Sequence, residues 1–479
     1  MLFLTTSLYV IWNIAIRFKD SKLPPGPRKW PFIGNLLHFP RANMWLRFHE
    51  WHQQYGDTVY AEALGRGVLV LGSMEVITEL LTDNASTFSD RPTFTMIGEM
   101  IGLKHSLPML PYGPKLKQHR KLCHFALSQD SVKKYCSTQE DAVAMYLSSI
   151  LNSPSTFYEE LRLAAGRIIM SVTYGIAIQR AEDIYITEAE QTMDMISKST
   201  VPGAHLVDLL PPLRYIPSWF PFNTIHSFAL QGRVLLNSMV RRPYEHVKRE
   251  VAAGAARSSF VSDCFESFES DSGGLSSAEQ EHLILWASGA MYGGKVRAPQ
   301  TFASILSFIL AMARFPNVQK KIQQEVDAIT GGGRLPTLRD RPNMPYTEAS
   351  LKEVLRWRPA LPLSLARKTR HSVEYKGYII PKDTIVLPNV WAVSVDEKSG
   401  IPSSRFAPER HMKEHVKETA IDPASYAFGF GRRVCPGRFL GENNLFLLVS
   451  GLMAIFNVKE SPGDNNTPLN PEYKSGLVS

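Results

Sequence analysis

Residues 58–71 (TVYAEALGRGVLVL) form two mostly apolar runs, with polar Thr58 and Glu62 set among them, and Gly65-Arg66-Gly67 interrupts them. Two such runs broken by glycines predict a hairpin around those glycines. From about Met74 onward the chain reads mostly as helix, with examples at residues 131–151, 159–174, 186–199 and 278–313. Residues 258–277 are rich in Ser, Gly and acids and predict a solvated loop. Gly331-Gly332-Gly333 predicts another loop; no Lys-Ser/Thr pair follows, so it is no phosphate cradle. Residues 373–387 (VEYKGYIIPKDTIVL) again read as strands. No internal repeat is present and no boundary splits the body. The expected fold class is mainly α, one large helical body with a minor β-rich region.

The two ends of the chain change this picture. Residues 2–16 carry no charge, and Arg17 and Lys19 close the run. A helix of that length reaches about 24 Å against a hydrocarbon core of about 30 Å. Snorkelling of the two basic residues and local thinning of the bilayer make up the difference. No basic stretch precedes the run and no small-residue cleavage site follows it, unlike a signal peptide. Residues 1–19 are therefore expected to be an uncleaved single-pass anchor, with the later charges holding the rest on the cytoplasmic side. Pro24-Pro25-Gly26-Pro27 makes residues 20–30 a stiff hinge before the body at 31–479.

Hydrophobic residues make up 44% and charged residues 20%, which excludes a disordered chain. The net charge of +8 favours acidic partners: anionic lipid or an acidic protein. No basic tract is interleaved with aromatics, so a nucleic-acid partner is not expected. Four cysteines (Cys123, Cys136, Cys264 and Cys435) are too few for a disulfide scaffold and suit a reducing compartment. No pair has zinc-finger spacing.

The strongest chemical signal is residues 428–437, Phe428-Gly429-Phe430-Gly431-Arg432-Arg433-Val434-Cys435-Pro436-Gly437, with an apolar helix expected at 443–456. Glycines at 429, 431 and 437 let the backbone turn tightly and approach a flat ligand closely. Cys435 precedes a helix N-terminus, where backbone N–H groups and the helix dipole stabilise a thiolate. Arg433 is placed to pair with a ligand carboxylate.

This segment, Phe-x-x-Gly-x-Arg-x-Cys-x-Gly, resembles the haem-binding signature of cytochromes P-450. Five fixed positions coincide by chance on the order of once in a million starts. The resemblance covers nearly the whole chain and looks like the fungal microsomal type similar to O-methylsterigmatocystin oxidoreductase. It implies a cytochrome P-450 fold and haem b (iron protoporphyrin IX), with Cys435 as the metal ligand. Phe428, Gly431, Arg433 and Gly437 belong to the cofactor-binding loop. Thiolate ligation pushes electron density onto the iron and favours O–O cleavage.

Glu353 and Arg356 lie three apart on one helix face, and Arg410 follows in Pro408-Glu409-Arg410. The resemblance implies that these three form a buried structural lock near the cysteine loop. They are not read as acid–base catalysts.

Four departures from the family pattern stand out. The oxygen-activating helix of the family is replaced by Gly293-Gly294-Lys295-Val296-Arg297-Ala298-Pro299-Gln300-Thr301, about two residues longer. Thr301 falls on the catalytic threonine, and Pro299 takes the place of its acid. A proline inside a helix costs about 3 kcal/mol. Either the proton path is rerouted or the stretch is a splicing error; the match of both flanks favours the error. The tryptophan expected four residues before Arg120 is Leu116, while Lys115, Lys117 and His119 add positive charge. A Pro-His pair that often meets a haem propionate is Ala366-Arg367, where Arg367 still clamps a carboxylate. Last, the family continues beyond Gly476-Leu477-Val478-Ser479, so the resemblance implies a further piece of sheet edge.

The function so implied is a membrane-anchored monooxygenase of the endoplasmic reticulum. Its partners are NADPH–cytochrome P-450 reductase, membrane lipid and a lipophilic small-molecule substrate. That substrate would be a terpenoid, polyketide, indole or xenobiotic. Alternative readings are a haem-thiolate isomerase or dehydratase, and a catalytically impaired haem-binding paralogue.

Overall fold

The hairpin forms one position earlier than Gly65-Arg66-Gly67 indicates. Thr58–Ala63 pairs antiparallel with Arg66–Leu71, and the turn residues are Leu64 and Gly65, at φ 50° and 78°. Two successive left-handed residues give the turn twist that matches right-twisted strands. The structure is a computed structural model that describes residues 22–40, 42–200, 204–217, 219–220, 224–270, 274–296 and 299–460. The expected anchor (1–19), the start of the hinge and the final strand at 476–479 lie outside the described residues.

The chain divides into two compact units. The first comprises Met1–Pro92, Pro362–Val393 and Gly429–Val434. Its strands are β1 (Thr58–Ala63), β2 (Arg66–Leu71), β3 (Arg367–Lys368), β4 (Val373–Tyr375), β5 (Tyr378–Ile380) and β6 (Ile385–Pro388). One sheet runs β1-β2-β6-β3, with β6 parallel to β2 so that Val68 sits opposite Ile385. β4 and β5 form a separate hairpin. Helix α1 (Met44–Tyr55) lays Phe48 and Trp51 on Val59, Ala61, Val68 and Val70. Those four strand residues alternate along their strands, so they share the face that meets α1.

The second unit comprises Thr93–Leu361, Ser394–Phe428 and Cys435–Ser479 and holds the other long helices. These are α2 (Pro114–Leu127), α3 (Cys136–Asn152), α4 (Phe157–Tyr174), α5 (Ile184–Ser199), α6 (Ile225–Ala252) and α7 (Phe260–Ser270). They continue with α8 (Ser277–Val296), α9 (Pro299–Arg314), α10 (Pro316–Thr330), α11 (Pro345–Trp357) and α12 (Arg438–Ile455). α12 is buried on nearly every side from Leu440 to Met453, as a helix apolar all round must be. Val143 and Leu147 of α3, Phe308 and Met312 of α9, Ile322 of α10 and Val354 of α11 share its core.

One expectation is corrected. Residues 258–277 are not a solvated loop throughout, because α7 buries Phe260, Val261 and Cys264 in the core. Serine and acid content masked an apolar stripe at helical spacing. Of the helix expected at 278–313, α8 is described to Val296 and α9 from Pro299, and residues 297–298 between them lie outside the described residues.

Among the described residues no single helix is long and apolar enough to cross a membrane. One bent pair, Thr301–Arg314 with Pro316–Thr330, passes by length and composition, with a 108° bend. Ile305, Phe308, Ala311 and Ile322 of that pair lie in the core.

Candidate active site

The cysteine loop closes on itself. The Cys435 amide donates to the Phe428 carbonyl at 2.8 Å, and between them Arg433 N donates to Phe430 O at 3.0 Å. Gly429 and Gly431 take φ values of 84° and 49°, and a Cβ on Gly431 would collide with the Leu81 carbonyl oxygen. Gly437, just before α12, has φ −86°, which any residue adopts, so no turn demands glycine there. Cys435 is half-buried, and α12 begins three residues after it, at Arg438. Arg120 of α2 lies within electrostatic reach: burial pushes its guanidinium down, while Cys123 and Cys435 push it up. That places a cation beside the thiol, the setting that favours a thiolate.

Thr301 sits in the first turn of α9. Its Oγ1 and the Phe428 ring both lie about 4 Å from the position a Cβ would take on Gly441 of α12. The hydroxyl therefore reaches the same helix that follows Cys435, four residues past Gly437.

The three residues of the expected lock come together. Glu353 and Arg410 are fully buried and Arg356 nearly so. Glu353 Oε1 accepts from Arg356 Nη2 at 2.9 Å, Arg410 Nε at 2.9 Å and the Ala407 amide at 2.8 Å. Its Oε2 accepts from Arg356 Nε at 2.8 Å and bonds His411 Nε2 at 3.0 Å. Burial pushes this carboxyl up, but His411, Arg356 and Arg410 pull it down to about 2. The arginines then staple irregular chain to α11. Arg356 donates to Ser394 O and Arg405 O, and Arg410 to Ile401 O, Pro402 O and Arg405 O.

In the first unit three arginines converge. Arg367 is 1% exposed and donates to Leu81 O and Phe430 O, at 3.4 and 2.7 Å. Arg433 Nε donates to Ser89 O at 2.8 Å. Arg91 Nη1 bridges Leu365 O and Ala366 O, at 2.8 and 2.6 Å. Burial and then Arg433 push Arg367 down to about 9. Burial, Arg433 and Arg367 push Arg91 well down.

Comparison with known proteins decides what this arrangement is. Residues 24–479 match the cytochrome P-450 family profile. Cytochrome P-450 monooxygenase COX2 of Coprinopsis cinerea is 36% identical, over 95% of this chain and 86% of its own length. Cytochrome P-450 monooxygenase 105 of Postia placenta is 34% identical over 98% of this chain and 89% of its own. Cytochrome P-450 monooxygenase claR of Ampulloclitocybe clavipes is 34% identical over 99% and 87%. The chain belongs to the cytochrome P-450 family. It is an oxidoreductase of monooxygenase type, with haem as its cofactor.

The residues fit that cofactor unit by unit. Cys435 offers a half-buried thiol with a neighbouring cation and a helix start behind it. In the other unit Arg91 and Arg367 are buried with Arg433 half-buried beside them, cations of the kind that the two haem carboxylates attract.

Sequence reasoning erred or fell short at four residues of this cytochrome P-450. His119 adds no positive charge near neutral pH: burial, then His282, His105 and Lys115, push its imidazole down to about 4. Leu116, in place of the expected tryptophan, is 2% exposed and packed into the core. Arg91 was missed. An arginine before Pro92 is unremarkable in sequence, and only folding brings residues 91, 367 and 433 together. His411 was missed because its neighbour in the sequence, Arg410, already accounted for the turn.

Arg91 yields a direct test. Arg91→Leu leaves the Leu365 and Ala366 carbonyls without this donor, at about 1–3 kcal/mol each if they stay buried. It also removes one cation from the cluster. Haem transfer from the variant to apomyoglobin should run roughly tenfold faster, a 1.4 kcal/mol effect. A transfer rate equal to wild type would remove Arg91 from the cofactor site.

Proposed function

We propose that this cytochrome P-450 monooxygenase inserts one oxygen atom from dioxygen into a lipophilic small molecule, with electrons supplied by NADPH–cytochrome P-450 reductase. The substrate class is a secondary metabolite such as a terpenoid, polyketide or indole, or a xenobiotic. The observation that carries the reading is Cys435, half-buried at the start of α12 with Arg120 alongside. When bound, haem supplies the dioxygen chemistry, which an axial thiolate promotes.

The chain's own residues take four roles. Cys435 would supply the thiolate that holds the haem iron, and its amide bond to Phe428 O fixes it in place. Arg120, Arg367, Arg433 and Arg91 would supply cations for the haem carboxylates. Gly431 keeps the loop thin where a side chain would strike Leu81. Thr301 offers a hydroxyl that relays a proton, with Phe428 and Gly441 around it.

Residues 1–19 anchor the enzyme in the endoplasmic reticulum membrane with the catalytic body at 31–479 in the cytoplasm. The uncharged run at 2–16, followed by Arg17 and Lys19, supports this. The net charge of +8 supports docking of an acidic flavin domain.

A proton relay needs a group that both receives and donates, and Pro299 does neither. Thr301 passes on only protons that reach it. With reductase and a turned-over substrate, most NADPH should therefore end as hydrogen peroxide or superoxide. Rewriting residues 295–301 to the shorter Gly-Ala-Asp-Thr-Thr pattern should raise product formed per NADPH several-fold. Tight coupling in the unmodified chain would show that another group carries the protons. NADPH consumption also tests the alternative reading, since an isomerase or dehydratase converts substrate with no reductase present.

A further inference from the structure

The lock around Glu353 has a member that its arginines do not explain. A carboxylate offers about four lone-pair sites. Arg356, Arg410 and Ala407 N supply donors to Oε1. On Oε2 the partners are Arg356 Nε and His411 Nε2 alone. The His411 side chain is 2% exposed, as deep as the rest of the lock.

We propose that His411 is a positioning residue of the haem site: a neutral imidazole that donates its Nε2–H to Glu353 and releases the lock when protonated. The proposal rests on reading Glu353, Arg356 and Arg410 as a lock that supports haem.

Charge sets the direction. Glu353 carries one negative charge, and Arg356 and Arg410 carry two positive ones, so the buried group is already net positive. The remaining neighbours of His411 do not redress this. Asp422 faces it, but Lys352 holds Asp422 at 2.9 Å. Tyr426 is buried among the same residues, and burial pushes its hydroxyl up, so it stays neutral. A second proton on His411 adds a further buried cation.

The tautomer follows from the partner. Glu353 is ionised and accepts only, so a neutral His411 must carry its proton on Nε2. The donation fixes Oε2, and through the same carboxylate it fixes Arg410. The Arg410 carbonyl accepts from Ala420 N at 3.0 Å, and the chain then runs through the Pro423–Ser425 turn to Phe428. Phe428 O is the acceptor for the Cys435 amide. His411 therefore acts on the cysteine loop through Glu353 and touches neither substrate nor cofactor.

The pH dependence has a definite sign. Burial lowers the His411 imidazole below its ordinary 6.5, outweighing the attraction of Glu353. A group neutral in the fold contributes its stability above that ordinary value and loses it as pH falls through the range below.

The test compares full-length haem-loaded wild type with His411→Gln and His411→Phe. Glutamine can donate an amide N–H but cannot take up a proton; phenylalanine fills the space and does neither. Haem loss and the reduced carbon monoxide spectrum are followed from about pH 7.5 to about pH 5.5, across the histidine range. At the acid end the glutamine variant should lose haem about tenfold more slowly than wild type, the most that one pH unit of linked protonation supplies. At neutral pH the phenylalanine variant should lose haem several-fold faster, and the glutamine variant should restore wild-type retention. Overlapping acid profiles for wild type and the glutamine variant overturn the proposal, even if the phenylalanine variant fails to fold. A Glu353→Ala variant that keeps its haem overturns the lock itself, which is a separate result.

Discussion

Replacing Cys435 with alanine or histidine should abolish the long-wavelength Soret band of the reduced carbon monoxide complex. That band reports thiolate ligation, and the other described cysteines have no route to replace it. Cys123 and Cys264 are fully buried, and burial raises both thiols, Cys123 to about 12, so neither is a ready thiolate. Cys136 is also raised by burial and lies at the first residue of α3. Alanine should leave protein that binds haem weakly or not at all. Histidine keeps a ligand atom but changes its chemistry, so haem is retained with the band displaced and turnover lost. The measurement is the difference spectrum with haem quantified separately. An unchanged spectrum in either variant removes Cys435 as ligand.

Glu353→Ala should yield protein without haem. Removing one partner of a buried ion pair costs about 3–5 kcal/mol, and here two guanidinium groups lose their carboxylate together. A typical domain has about 5–15 kcal/mol of total stability, so a loss of this size is decisive. The damage is local as well. Residues 394–411 contain little regular structure, and five bonds from Arg356 and Arg410 to four carbonyls hold them to α11. Haem content per protein and the melting temperature are the measurements. Mild acid should not protonate Glu353 itself, because its carboxyl is held at about 2 and stays ionised, so any acid-linked haem loss above that range runs through His411 instead. The stabilising contribution of Glu353 is present above the ordinary carboxyl value and fades only toward pH 2. Full haem content and an unchanged melting temperature in Glu353→Ala would mean the carboxylate is dispensable.

The clearest sequence signals were those with strict local spacing. Cys435 stood out because glycines, arginine and cysteine occupied fixed offsets, and Glu353 with Arg356 because a spacing of three puts both on one helix face.

The sequence by itself determined the family and the mainly helical class, and it singled out Cys435 and the three residues of the lock, because each rests on residue type at short range. Only the tertiary structure decided that residues 91, 367 and 433 share one buried cluster, since no local spacing relates positions so far apart. It alone added His411 to the carboxylate of Glu353, and it alone neutralised His119, because burial is a property of what packs around a side chain. It also turned residues 260–270 from apparent loop into core helix. Five apolar side chains among serines and acids commit to a helix only when a partner surface covers them.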